Sequence, residues 1–191
     1  MVRRNLLYAV PMSKSVTPRR LSNSSVEAAA LHYLERFAAS AEALRRVLLR
    51  RVEHAARLRG EDAAEGRAMV DALIARYLAS GLLDDRRYAE AKGRSILRQG
   101  GSIRAIRCRL AAKGVAPETI EAALGDLRDE QAGSIDELDL AAAVALARRR
   151  RLGPYRPADQ RVSARDRDLA ALGRAGFSWE IARRVIDGQA G

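Results

Sequence analysis

The residues of this chain that could do chemistry are few and poorly placed for it. His32 and His54 have no cysteine or second histidine at the spacing that holds a metal, and each reads as a surface or helix-packing residue. Cys108 sits between Arg107 and Arg109, which favour a thiolate, but it has no partner base, so an inert core or boundary position is expected. Gly100-Gly101 lacks the rest of a phosphate loop and reads as a turn. Carboxylates crowd residues 115–139, where Glu118, Glu121, Asp126, Asp129, Glu130, Asp136, Glu137 and Asp139 are opposed by Arg128 alone; charge runs of this kind are usually solvated faces. No catalytic set, cofactor, metal or small-molecule substrate is expected. What remains is binding.

Binding chemistry is abundant. The chain holds 35 Lys and Arg against 24 Asp and Glu, a formal charge of +11 that attracts polyanions whatever the origin of its arginine bias. Between Arg86 and Lys113 the local acid is Glu90 alone. Arg87, Arg94 and Arg98 fall at i, i+7 and i+11, one ridge of a helix. On the next helix the apolar stripe leaves Arg104 and Arg109 on opposite outer flanks and Arg107 near the edge, with Lys113 at the end. Arg148, Arg149, Arg150 and Arg151 run consecutively into a Gly-Pro stop. The planar fork of arginine holds phosphate or carboxylate oxygens in two bonds at once, so these residues are the candidates for contact with nucleic acid or an acidic partner.

The elements that carry them are short helices. Aromatics are scarce, at two Phe, one Trp and five Tyr, which favours small helices packed closely over a β-sandwich. Ser24 with Glu27 reads as a capping box for a first helix with Val26, Ala30, Tyr33, Leu34 and Phe37 on one face. Ser40 caps a second, extended to Gly60, on the stripe Leu44, Val47, Leu48 and Val52; a third carries Val70, Leu73, Ile74 and Tyr77 to Gly81. Asp84 or Asp85 caps the next, Ser102 opens a helix on Ile103, Ile106 and Leu110, and Gly114 closes it before Pro117 opens another. Ser134 with Glu137 is again a capping box, with Ile135, Leu138, Ala142 and Ala145 inward. Val162, Leu169 and Leu172 mark a further helix, and Ser178 caps a last one on Ile181, Val185 and Ile186, with Trp179 expected to pack over a repeat boundary.

A spacing recurs. Leu110, Gly114, Val115 and Glu118 are matched by Leu172, Gly176, Phe177 and Glu180, so the same corner returns 62 residues on. The expected fold is all-α: a basic N-terminal arm over residues 1–23, then three tandem three-helix repeats over 24–83, 84–130 and 131–191, forming an elongated, curved array. One cysteine fits a reducing compartment, and no apolar run is long enough for a bilayer, so a cytoplasmic protein with no membrane partner is expected.

Three stretches resemble one family. Gly81 to Ala91, Arg94 to Gly100 and Ile106 to Val115 are similar in order and spacing to the middle repeat of the RecX family of bacterial recombinase regulators, and Ala147 to Pro157 and Leu172 to Ile186 extend the likeness. The resemblance implies a non-enzymatic regulator that binds the RecA recombinase, lies along the groove of its filament on single-stranded DNA, and suppresses ATP hydrolysis and strand exchange. On that footing the arginines above are expected to face DNA or acidic recombinase surfaces, with direct DNA contact an open point, and the acidic stretch to meet basic loops. The chain departs from the family pattern after its second helix, where the glycine turn is delayed to Gly60. A monomer is expected. The alternative from the residues themselves is a helix-turn-helix protein of duplex DNA, since three short helices with a glycine turn also suit that motif; a ribosome- or RNA-associated role is weakened by the scarcity of aromatics.

Overall fold

The computed structural model describes residues 20–130 and 134–189. Within them the chain is all-α: α1 (Asn23–Leu34), α2 (Ala41–Arg59), α3 (Ala63–Ala79), α4 (Asp85–Arg98), α5 (Ile103–Ala112), α6 (Pro117–Glu130), α7 (Ile135–Arg150), two 3-10 turns at Gly153–Tyr155 and Ala158–Gln160, α8 (Arg161–Arg174) and α9 (Trp179–Ile186). Serine hydroxyls open five of these helices. Ser22, Ser40, Ser102, Ser134 and Ser178 each accept from the amide three residues on, which satisfies one of the N–H groups left free in a first turn. Asp84 does the same for α4 through Arg87, and Ser134 and Glu137 form a reciprocal capping box.

The apolar stripes close three cores. Leu44, Leu48 and Val52 of α2 meet Val26 and Ala30 of α1 and Val70, Leu73 and Tyr77 of α3. Ile103, Ile106 and Leu110 of α5 meet Ala89 and Ile96 of α4 and Ile120, Leu124 and Leu127 of α6. Leu146 and Ala147 of α7 meet Leu169 and Leu172 of α8 and Ile181, Val185 and Ile186 of α9. The three-helix units stand in series. Helix α7 ties two of them together, because Leu138 near its start lies in the middle core while Ala142, Ala143 and Leu146 lie in the last. Leu97 of α4 packs against both, whereas among the described residues none belongs to both the first core and the middle one.

Several expectations are corrected. The first helix opens at Ser22 with Ser25 as its box partner, not at Ser24 with Glu27, because the Glu27 carboxylate is taken by Arg76 of α3 at 2.5 Å. Leu21 is anchored through its N–H to Glu61, so the chain before α1 is held from that point; the rest of the expected basic arm, residues 1–19, lies outside the described residues. Helix α1 stops before Phe37, whose ring is 55% exposed and stacks 5.1 Å from Tyr33. Val162 is exposed at the start of α8, and on α7 the exposed Ala145 gives way to Ala143, Leu146 and Ala147 because two cores, not one, draw on that helix.

Candidate functional site

The units meet at a joint that is built twice. Ser40, fully buried, caps α2 and donates its hydroxyl proton to the Lys113 carbonyl at the end of α5, 2.6 Å away. Ser102, also fully buried, caps α5 and donates to the Ala175 carbonyl at the end of α8, 2.8 Å away. Each bond spans 73 residues. A second cap is lent across each joint: Asp85 of α4 accepts from the Ala41 N–H at 2.8 Å, and Asp139 of α7 accepts from the Ile103 N–H at 2.6 Å. The first residues of α2 and α5 are therefore satisfied by the unit that follows. Burial pushes the Asp139 carboxyl above the usual range against the pull of that N–H.

Glycine makes the close approach possible. Gly114 and Gly176, both left-handed, follow Lys113 and Ala175; a Cβ on Gly114 would stand 2.5 Å from the Glu42 Cβ, and one on Gly176 would stand 2.6 Å from the Ser102 Oγ. The recurrence read in the sequence is thus the recurrence of a docking corner.

Against this frame the candidate cations divide. Arg94 is hydrogen-bonded by both nitrogens of its fork to Glu130 of α6 and reaches Glu90, which raises its pKa further and lowers that of Glu130. Arg107 makes two bonds to Glu121, at 2.7 and 2.8 Å. Arg86 makes two to Asp126, at 2.9 and 2.8 Å. Exposed pairs of this kind contribute little to stability. Their consequence is partial neutralisation: three of the nine cations between Arg86 and Lys113 are paired with carboxylates of α6, and those carboxylates are correspondingly spent on the chain itself.

Arg87, Arg98, Arg104, Arg109, Lys113, Arg150 and Arg151 have no carboxylate within ion-pair distance among the described residues. Arg148 lies over the Tyr155 ring, 5.4 Å from its centre, and Arg149 donates to the Gln99 carbonyl. Arg151 ends α7 in the left-handed conformation at φ 54°, the one non-glycine among the described residues to do so. Four arginines converge on a hollow of about 290 Å³ at the second joint: Arg109 of α5, Arg149 and Arg150 of α7, and Arg174 of α8. Arg174 was not among the sequence candidates. At the first joint the hollow, about 580 Å³, is instead floored by Leu34, Phe37, Ala39, Leu82 and Tyr88, with Arg87 and Lys92 on it.

The third unit holds one buried carboxylate. Asp168, 1% exposed, accepts from the Gly153 N–H at 2.9 Å and takes two bonds from Arg156. Burial alone would raise its pKa, but the Arg156 fork and the Gly153 N–H outweigh that and hold it below the usual carboxylate range. It fastens the Gly-Pro stop after α7 to α8.

Cys108 is exposed on α5, not in a core or boundary position, and Trp179 is 66% exposed at the start of α9 instead of covering a boundary. Both stand on the outer side of helices whose inner sides are already filled by Ile106, Leu110, Ile181 and Val185. No group of three His, Cys, Asp or Glu among the described residues is arranged to hold a metal, and no described helix is long and apolar enough to cross a membrane.

The model of the second three-helix domain of RecX matches residues 84–124, which span α4, α5 and most of α6. The regulatory protein RecX of Myxococcus xanthus is 44% identical over 171 residues, covering 89% of this chain and 88% of that protein. The regulatory protein RecX of Agrobacterium fabrum is 35% identical over 178 residues, covering 91% and 88%. The crystal structure of RecX from Lactobacillus salivarius superposes with a TM-score of 0.56 at 22% identity over 87% of this chain and 95% of that one, a likeness of fold.

Proposed function

This chain belongs to the RecX family of regulatory proteins, and on that premise we propose that it binds a RecA-type recombinase filament on single-stranded DNA and lowers its ATP hydrolysis and strand exchange. It does so by occupying surface, without chemistry of its own, as a monomer in the cytoplasm. The repeats over 24–83, 84–130 and 131–191 are its modules.

The observation that carries this reading is the joint made twice with the same parts, Ser40 on Lys113 and Ser102 on Ala175. Units joined in series by one repeated geometry present their surfaces at regular intervals, and a helical filament presents its own surfaces the same way. Arginines with no internal partner supply the contact: Arg87, Arg98, Arg104, Arg109, Lys113, Arg150 and Arg151. Arg94 and Arg107, tied to Glu130 and Glu121, shape the surface instead.

Pelleting tests it. At moderate salt the protein is expected to co-sediment with recombinase filaments on single-stranded DNA well above its recovery with naked single-stranded or duplex DNA, and to depress filament ATPase. Binding to duplex alone, with the ATPase unaffected, would favour a helix-turn-helix role and sink the regulator.

A further inference from the structure

Arginines of this chain commonly find a carboxylate on a neighbouring helix, as Arg45 does with Asp71, Arg86 with Asp126, Arg107 with Glu121 and Arg165 with Asp187. The hollow at the second joint breaks that habit. Arg109, Arg149, Arg150 and Arg174 line it from three helices, Gln99, Gly100 and Gly101 lie between them, and no carboxylate among the described residues lines it. Arg109, Arg150 and Arg174 have no ion-pair partner among the described residues. Like charges gathered round one concavity repel, and the fold leaves that repulsion standing although α6 and α7 carry acids used elsewhere.

The helices that carry these arginines are also fixed relative to one another. Gly100 brings the end of α4 against the α7 backbone, so close that a Cβ would stand 2.8 Å from the Leu146 nitrogen. Ser102 pins the start of α5 to the end of α8. The three walls are therefore set relative to one another before any ligand arrives, so binding orders the side chains but not the helices, which lowers its entropy cost. The first joint is an internal comparison: with the same Ser-carbonyl bond, its hollow is mainly apolar. The charge is a property of this one site, not of the joint.

We propose that the hollow at the second joint is a phosphodiester site that takes the backbone of a single strand of nucleic acid. Arginine forks match phosphate oxygens in paired bonds. A narrow concavity walled on three sides admits the phosphates of one flexible strand in turn, whereas a duplex holds its phosphate rows apart on a broad convex surface. The proposal deepens the regulator reading, resting on it only for the identity of the strand, which is the polymer that the filament is assembled on.

The test is anisotropy of a labelled oligothymidylate of about 20 nucleotides, with the full chain near 0.15 M salt. Arg109→Gln with Arg174→Gln is compared with Arg57→Gln with Arg59→Gln, an exposed pair on α2 that has no ion-pair partner and loses the same charge. The hollow variant is expected to bind at least about tenfold more weakly and to lose about 1.4 from the logarithmic salt slope, while the α2 variant changes less than about threefold. Arg150→Gln alone, exposed and unpaired, is expected to lose about half of that slope and covers the case in which the double variant fails to fold. Equal losses in the hollow and α2 variants would overturn the proposal, as would equal or tighter Arg109-dependent binding of duplex, or displacement of the strand by micromolar pyrophosphate. Filament pelleting of the wild type is read separately: its failure with strand binding intact removes the regulator reading and leaves the site.

Discussion

The hydroxyl of Ser102 donates to the Ala175 carbonyl at 2.8 Å while accepting from the Ala105 N–H, so one side chain both starts α5 and clasps the next unit. Ser102→Ala removes the cap and the clasp together and is expected to cost about 1–2 kcal/mol. Ser40→Ala is expected to cost a similar amount, and the double variant close to the sum, because the two clasps stand at opposite ends of α5 and share no hydrogen-bond partner. Urea unfolding of the four proteins measures this; a strongly non-additive result would mean that the joints are coupled.

Asp139 lends its carboxylate to the Ile103 N–H from a half-buried position. Because its folded pKa lies above the ordinary one, the folded state binds more protons in the window between the two values, and stability from this group falls as pH rises through it. Asn keeps an oxygen for the N–H without the charge. Asp139→Asn is expected within about 0.5 kcal/mol of wild type at pH 7, and Asp139→Ala about 1 kcal/mol below it. That gap narrows to nothing if the cap is idle.

Asp168 has the opposite sign. Its pKa is held down in the folded state, so its contribution is complete above the unfolded value near 3.9 and is lost as pH falls through the lower folded value. Asp168→Asn leaves Arg156 and the Gly153 N–H facing a neutral partner and is expected to lower Tm by roughly 5–10 °C at pH 7. The difference from wild type should shrink as the pH falls past the unfolded value and on through the lower folded one. A Tm gap independent of pH would place the effect in packing and not in charge.

Gly60 and Gly100 share a left-handed backbone, φ 67° and 71°, but not their surroundings: a Cβ on Gly60 meets nothing within 4 Å, and one on Gly100 meets the α7 backbone. Gly60→Ala is expected to cost about 1 kcal/mol from backbone conformation alone. Gly100→Ala adds a clash that backbone must relieve, so it is expected to cost more and to weaken the second joint. Equal losses by calorimetry would show that α7 yields freely.

Arg94 and Arg98 were grouped in one ridge by spacing, yet they behave differently in the fold. Arg94→Glu sets three carboxylates together with Glu90 and Glu130 and is expected to lower Tm, whereas Arg98→Glu is expected to leave it within about 1–2 °C. Matching thermal melts would place the Arg94 pair outside the stability of the α4–α6 contact.

The local signals in this sequence were strong because they act over one turn. A serine three residues before the first free amide, a glycine past a helix end and Pro117 at a first turn name their own partners, so Ser40, Ser102, Ser134 and Ser178 could be placed as caps and Leu110 to Glu118 matched to Leu172 to Glu180. The partnerships that cross between helices left no such mark. Asp85 stood as a possible cap of its own helix and proved to cap α2, and Asp168 sat among arginines with nothing to distinguish it from Asp166. The pairing of Arg94 with Glu130 and Arg107 with Glu121 depends on how α6 lies over α4 and α5, which a count along the chain cannot register. Arg174 joins the hollow because α8 ends beside α5, a consequence of the Ser102 clasp and not of its own neighbours.

Helix α7 carries Leu138 into one core and Leu146 into the next, while among the described residues the first core shares no side chain with its neighbour. Cooperativity is therefore unequal along the molecule. Residues from α4 to α9 should exchange their amide protons as a single foldon, and α1 to α3 should open at a lower free energy. A body bound more firmly at one end than at the other can seat its stiffer part first and let the remainder settle after it.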